Sequence, residues 1–258
     1  MRSLAGRMVV ALLLTFSLTG CAANLVNGQA EVRPWHSINE FRDQRFAEVK
    51  DPWEGFNQNV YRFNFFLDKY ALIPVVNGYE YVTPTFVQNR VSGIFNNLSE
   101  VRNLSNSMVQ LKAKESVTTL GRFLTNSTLG LGGMFDPATK FGMVRHDEDF
   151  GKTLGYWGVG SGPYLVLPFF GPSSVRDTGG LAVDSAVTYG IYTAVDPFGS
   201  TGYPLEISAG VTTLEAIDMR HQQSFRYFES GYPFEYFMVR FLYHEKRELE
   251  SGKHTPDE

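Results

Sequence analysis

The chain has 258 residues and a formal net charge of -4, with no basic stripe to neutralise phosphates, which argues against nucleic acid as a partner. Cys21 is its one cysteine, so the composition offers neither a disulfide framework nor a cysteine-based metal site. Aromatic residues make up 14% of the chain, with 21 Phe and 13 Tyr; an aromatic core accounts for part of them, and a helix-rich protein lying in one membrane leaflet would use the rest.

The first twenty residues read as a lipoprotein signal. Arg2 and Arg7 form a basic n-region, and Met8 to Leu18 is an apolar run too short to span a bilayer. Leu18-Thr19-Gly20-Cys21 resembles a lipobox, in which Cys21 becomes the acylated first residue of the mature chain; an ordinary secretory signal is the alternative. Anchoring by more than one acyl chain is effectively permanent. Ala22, in place of the aspartate that retains lipoproteins at the inner membrane, points to the outer membrane as the destination of the anchored chain.

Residues 21–50 form a polar tether of mixed charge, with a short helix opened by Ser37 and Glu40 in capping-box spacing. A helical domain covers 51–250, and 251–258 is a polar tail. Asp51-Pro52-Trp53-Glu54 predicts a helix start with Asp51 as N-cap, after which Trp53, Phe56, Val60, Phe63, Leu67 and Tyr70 recur at helical spacing. A second start at Thr83-Pro84 leads through Val87, Val91, Ile94, Leu98 and Val101, with an interruption expected at Gly93 and an asparagine-rich turn. The third helix spans about Ala113 to Leu129, with Val117, Leu120, Phe123 and Leu124 on one side.

Gly130-Leu131-Gly132-Gly133, Asp136-Pro137 and His146-Asp147-Glu148-Asp149 then mark a loop-rich centre. Tyr164 to Phe170 reads as a short extended segment closed by Gly171-Pro172. Helical patterning returns at about Ser174 to Tyr192, Ile207 to Phe228 and Pro233 to Leu249. The longest uncharged mature stretch, Thr153 to Val175, is too rich in Gly and Pro for a spanning helix.

Motifs of catalysis are absent: there is no phosphate loop, no HExxH, no GxSxG and no zinc spacing. Gly158-Val159-Gly160-Ser161-Gly162 imitates a dinucleotide loop, but no βαβ unit surrounds it, and a structural turn is the better reading. The acidic run beside His146 reads as a solvated loop rather than a cation site.

Several blocks resemble the MlaA (VacJ) lipoproteins. They are Asp51-Pro52-Trp53-Glu54-Gly55-Phe56-Asn57 with Tyr61, Asn64 and Asp68; Arg122-Phe123-Leu124-Thr125-Asn126-Ser127 with Gly130 to Gly133; Asp149-Phe150-Gly151; and Trp157 to Pro168 with Gly171-Pro172-Ser173 and Arg176-Asp177. Val101 stands where a proline would follow the acidic Glu100, and Lys152 where glutamine is common. The resemblance implies a mainly α fold, a ring of amphipathic helices lying in the inner leaflet of the outer membrane around a lipid channel, with Gly-rich loops and little or no sheet. It implies removal of misplaced phospholipids from the outer leaflet, association with a trimeric porin and delivery to a periplasmic lipid-carrier protein, without cofactor or catalysis. An envelope scaffold and a lipid hydrolase are the alternatives.

A headgroup crossing such a channel needs polar partners. Asn57, Asn64, Asn126, Arg176 and Asp177 are candidates for that lining, with capping or core roles as the alternative. Gly130, Gly132, Gly133 and Gly151 bound a segment expected to move as a gate, against a passive loop.

Overall fold

The computed structural model describes residues 49–195, 204–229 and 234–251, the side chains of 191–195 and 204–206 lying outside that description. Cys21, the signal, the tether with its Ser37 helix and the tail beyond Ser251 also lie outside the described residues.

The described chain is mainly helical. Helix α1 (Glu54–Leu67) runs through a π-turn (Asp68–Leu72) into α2 (Ile73–Val82). The long α3 (Thr85–Val109) and α4 (Ala113–Thr128) follow, then the short α5 (Pro137–Lys140) and α6 (Phe150–Tyr156). Strands β1 (Tyr164–Leu167) and β2 (Gly171–Ser174) form an antiparallel hairpin, which α7 (Val175–Val195), α8 (Pro204–Gln222) and α9 (Glu235–Glu250) follow.

Contacts between elements close on themselves. Helix α1 packs on β1, β2 on α7, α7 on α6, α6 on α3, α3 on α8, and α8 on α2, which returns through the π-turn to α1. Helix α4 packs along α3 and carries α5, while α9 lies against β2 and α6.

Three local expectations change. Helix α1 starts at Glu54, and Asp51 caps nothing; its carboxylate accepts from Asn57 Nδ2 at 2.7 Å and bonds Tyr236 and Arg240. Helix α3 continues unbroken through Gly93 and the asparagines, because Asn97, Asn103 and Asn106 face inward and find tertiary partners that offset their weak helix propensity. Gly171-Pro172 opens a second strand instead of ending the first: Leu167 pairs with Gly171 and Tyr164 with Ser174.

The amphipathic stripes point outward. Along α1 and into the π-turn, Asn57, Tyr61, Asn64 and Asp68 are buried at helical spacing, while Phe56, Phe63 and Tyr70 of the apolar stripe, with Trp53 just before α1, are exposed. Helix α3 buries Asn97, Glu100, Asn103 and Asn106, with Gln110 at its C-cap also buried, and exposes Val87 and Leu98. On α4, Thr119, Arg122 and Asn126 are inside, with Val117, Leu120 and Leu124 outside. Among the described residues, buried polar and charged side chains far outnumber buried hydrophobic ones, the reverse of a water-soluble core. Apolar exposure on this scale marks a surface that meets lipid or protein. No described helix is long and apolar enough to cross a membrane.

Candidate functional site

A polar interior needs internal partners, since each buried group left unpaired costs about 1–3 kcal/mol. Three clusters supply them.

The first joins α1 to the hairpin. Asn57 presents its side-chain amide to β1 as a neighbouring strand would, donating to Tyr164 O at 3.1 Å and accepting from Val166 N at 2.8 Å. Two turns on, Asn64 donates to Leu167 O at 2.9 Å and accepts from Phe169 N at 2.9 Å. Below them Tyr61 donates to Glu235 Oε1 at 2.8 Å, and Asp68 holds Arg220 through two hydrogen bonds of 2.5 and 2.8 Å. The hairpin tip places Phe169 and Phe170 in the open, with Phe169 at φ 69°, a conformation that costs a non-glycine residue about 1–3 kcal/mol.

The second cluster lies between α6, α7 and α9. Arg247 makes a two-pronged pair with Asp149, both distances 2.8 Å, and also donates to Asp177 at 2.8 and 3.0 Å. Tyr243 donates to Asp177 at 2.7 Å and Arg176 Nε does so at 2.9 Å. Burial would raise the Asp177 pKa, but these hydrogen bonds and the Arg247 charge outweigh it and hold the carboxyl below its ordinary value. Burial likewise opposes the charge on Arg247, and its two carboxylates overcome that and raise its pKa. Asp149 also caps α6, accepting from Lys152 N at 2.8 Å. A Cβ on Gly151 would lie 2.5 Å from Asp177 Oδ1 and 2.6 Å from Arg247 Nη2, so any side chain there would push the paired groups of the cluster aside.

The third cluster surrounds a cavity of about 180 Å³ between α3, α4 and the turn after α4. Buried Arg122 donates to Glu100 at 2.9 Å, Thr139 at 3.0 Å, Met143 O at 2.7 Å and Asp136 at 3.1 Å. Asn126 donates to Asp136 at 3.0 Å and accepts from Ala138 N at 3.1 Å. Burial raises the Asp136 pKa, yet bonds from Thr139, Asn126 and Arg122 win and bring it down to about 2. Asn89, Arg90, Asn96, Asn97 and Arg145 complete the wall, and Gly133 approaches Gly93 and Asn97 too closely for a side chain.

The sequence-derived residues therefore fall in three places. Asn126 and Gly133 line the cavity, with Gly130 packed behind them against Phe135 O. Gly151, Arg176 and Asp177 meet in the second cluster, and Asn64 clamps the hairpin. Gly132, at φ 74°, has open space around it. Sequence reasoning missed Arg90, Glu100, Arg122, Asp136, Arg145 and Arg247 as functional groups. The signal for Glu100 was present in the polar spacing Asn97, Glu100, Asn103, Asn106, Gln110 along α3.

Fold and interior together define a class: a helical protein with a hydrogen-bonded polar interior and an apolar exterior. The chain belongs to the MlaA lipoprotein family, whose model matches residues 49–250. Over 258 aligned residues it is 30% identical to the intermembrane phospholipid transport system lipoprotein MlaA of Haemophilus influenzae, covering 97% of this chain and 96% of that protein. It is 36% identical over 179 residues to the protein of that name in Escherichia coli, covering 67% and 66%. A protein of Rickettsia typhi is 40% identical over 141 residues, and the match spans about half of its length, 55% of each chain. A solved structure reported as a structural basis for maintenance of bacterial outer membrane lipid asymmetry superposes with a TM-score of 0.59 at 30% identity, covering 78% of this chain and 99% of that one.

Proposed function

We propose that this chain is an outer-membrane lipoprotein, anchored through Cys21, that takes misplaced phospholipids from the outer leaflet and passes them to a periplasmic lipid carrier. The observation that carries the reading is the inverted burial of α1, α3 and α4. Apolar faces turned outward suit acyl chains, while an interior of paired polar groups suits a headgroup that loses several kcal/mol if moved through hydrocarbon without partners. The circuit of element contacts supports a ring of helices around that interior. The names of the Haemophilus influenzae and Escherichia coli relatives, intermembrane phospholipid transport system lipoproteins, support phospholipid as the cargo.

In this reading Asn64, Asn126, Arg176 and Asp177 belong to the polar wall. Gly130, Gly133 and Gly151 let its elements close together, and the segment from Gly130 to Gly151 acts as the gate. A trimeric porin covers part of the exposed aromatic surface. The protein moves lipid without altering it.

Lipid extraction and mass spectrometry of detergent-purified protein test the reading. Intact phospholipid bound to the protein supports it. Released fatty acid would identify a hydrolase, and an absence of lipid would leave an envelope scaffold.

A further inference from the structure

The cavity between α3 and α4 holds cations and carboxylates that are unequally matched. Both of its carboxylates, Glu100 and Asp136, are bonded to Arg122. Arg145 pairs with Asp147 through Nε at 3.0 Å and donates to Ser99 through Nη2 at 2.9 Å, and its Nη1 has no hydrogen bond among the described residues. Arg90 has no carboxylate partner among the described residues: its guanidinium donates to Met134 O at 2.7 Å and lies 4.9 Å from the Phe86 ring centroid and 4.3 Å from that of Phe135. The rings and the carbonyls of Met134 and Phe86, the latter 3.4 Å from Nε, fix the plane of the fork, and Nη2 makes no hydrogen bond among the described residues, an arrangement in which Arg can receive phosphate. On the same wall Asn97, 4% exposed, has a buried Oδ1 with no hydrogen-bond partner. An acceptor in that position calls for an N–H or O–H donor.

Resting on the phospholipid reading above, we infer that this cavity is a headgroup subsite, in which Arg90 and the open edge of Arg145 receive a phosphodiester and Asn97 Oδ1 accepts a hydrogen bond from the headgroup's terminal donor. The volume, about 180 Å³, suits a headgroup without its acyl chains. The recognition is selective by chemistry. An ethanolamine ammonium or a glycerol hydroxyl satisfies Asn97, whereas a quaternary choline has no proton to give and leaves the acceptor buried and unpaired. The cavity therefore favours ethanolamine and glycerol phosphodiesters over choline.

The test uses full-length detergent-purified protein and three water-soluble probes, the methyl phosphodiesters of ethanolamine and of choline, which carry no glycerol hydroxyl, and inorganic phosphate, titrated by calorimetry. The ethanolamine diester should bind saturably, and the choline diester about tenfold more weakly, as one buried unpaired acceptor dictates. Arg90→Gln should abolish binding of both diesters, and Arg90→Lys should retain part of it. Asn97→Ala should erase the ethanolamine preference while leaving phosphate-dependent binding, with helix content checked by circular dichroism for each variant. Equal binding of the two diesters, full binding by Arg90→Gln, or inorganic phosphate binding as tightly as the diesters would overturn the inference. Co-purifying lipid is measured on the same wild-type preparation: bound phospholipid without diester binding defeats the subsite alone, and the absence of both defeats the transport reading as well.

Discussion

Gly180 of α7 lies directly against the backbone of Gly151 in α6: a methyl group built on Gly180 would lie 2.7 Å from Gly151 Cα and closer still to its amide nitrogen. The obstacle is backbone, which cannot swing aside. Gly180→Ala should therefore force α6 and α7 apart and lower stability by about 1–3 kcal/mol or more, as overpacking does. Gly179→Ala, one residue earlier with nothing within 4 Å, should gain roughly 0.5–1 kcal/mol from helix propensity. Thermal unfolding of the two variants in detergent, followed by circular dichroism, decides; equal melting temperatures would mean that the α6–α7 crossing is not tight.

Phe169, 68% exposed, occupies a left-handed conformation at the hairpin tip with its ring edge-on to Phe63 at 5.7 Å. Glycine adopts this backbone without strain. Phe169→Gly should leave the melting temperature unchanged or slightly raised while reducing co-sedimentation with phospholipid vesicles. Undiminished association would show that the tip does not meet lipid.

Adjacent residues on α1 separate surface from packing. Phe66 is exposed and stacks on Tyr70, whereas Phe65 is half-buried with its ring 5.0 Å from that of Phe228. Phe66→Lys should weaken vesicle or porin association with the fold intact, and Phe65→Lys should lower the melting temperature first. Flotation assays paired with melting curves distinguish the two; normal association of a folded Phe66→Lys protein would contradict an outward face that meets lipid or porin.

Acid should loosen the second and third clusters. Asp136, Asp149 and Asp177 all titrate below their ordinary range because their hydrogen bonds and arginine partners outweigh the effect of burial. A carboxylate whose folded pKa is depressed adds stability that is fully present above its unfolded value of about 3.9 and is lost as pH falls through the folded value. For Asp136 that window runs from about pH 4 down to about 2. Melting temperature in detergent should be flat from neutral pH to about 5 and fall below about 4. In Asp136→Asn the acid-dependent drop should be smaller, and an identical drop would assign acid sensitivity elsewhere.

Helix positions were legible because period-3.6 stripes do not depend on which solvent they face. The stripe Trp53, Phe56, Val60, Phe63, Leu67, Tyr70 marks α1 whether it contacts a core or acyl chains. The asparagines of α3 misled for a local reason: alone they favour turns, and only partners from distant segments, Asp184 for Asn106 and the Glu148 amide for Asn103, keep them helical. Asp51 misled likewise, since Tyr236 and Arg240 lie far along the chain. The arginines of the cavity and Arg247 were invisible as site residues because no spacing joins Arg90 to Arg145 or Arg247 to Asp149; the fold alone brings them together.

Phospholipid exposed on the surface of cells that lack their own MlaA-family lipoprotein measures the central claim most directly. Expression of this chain should return exposed outer-leaflet phospholipid to the level of unmodified cells, and Cys21→Ala should fail to do so. Unchanged surface phospholipid in cells that hold normal amounts of the acylated protein would contradict the account.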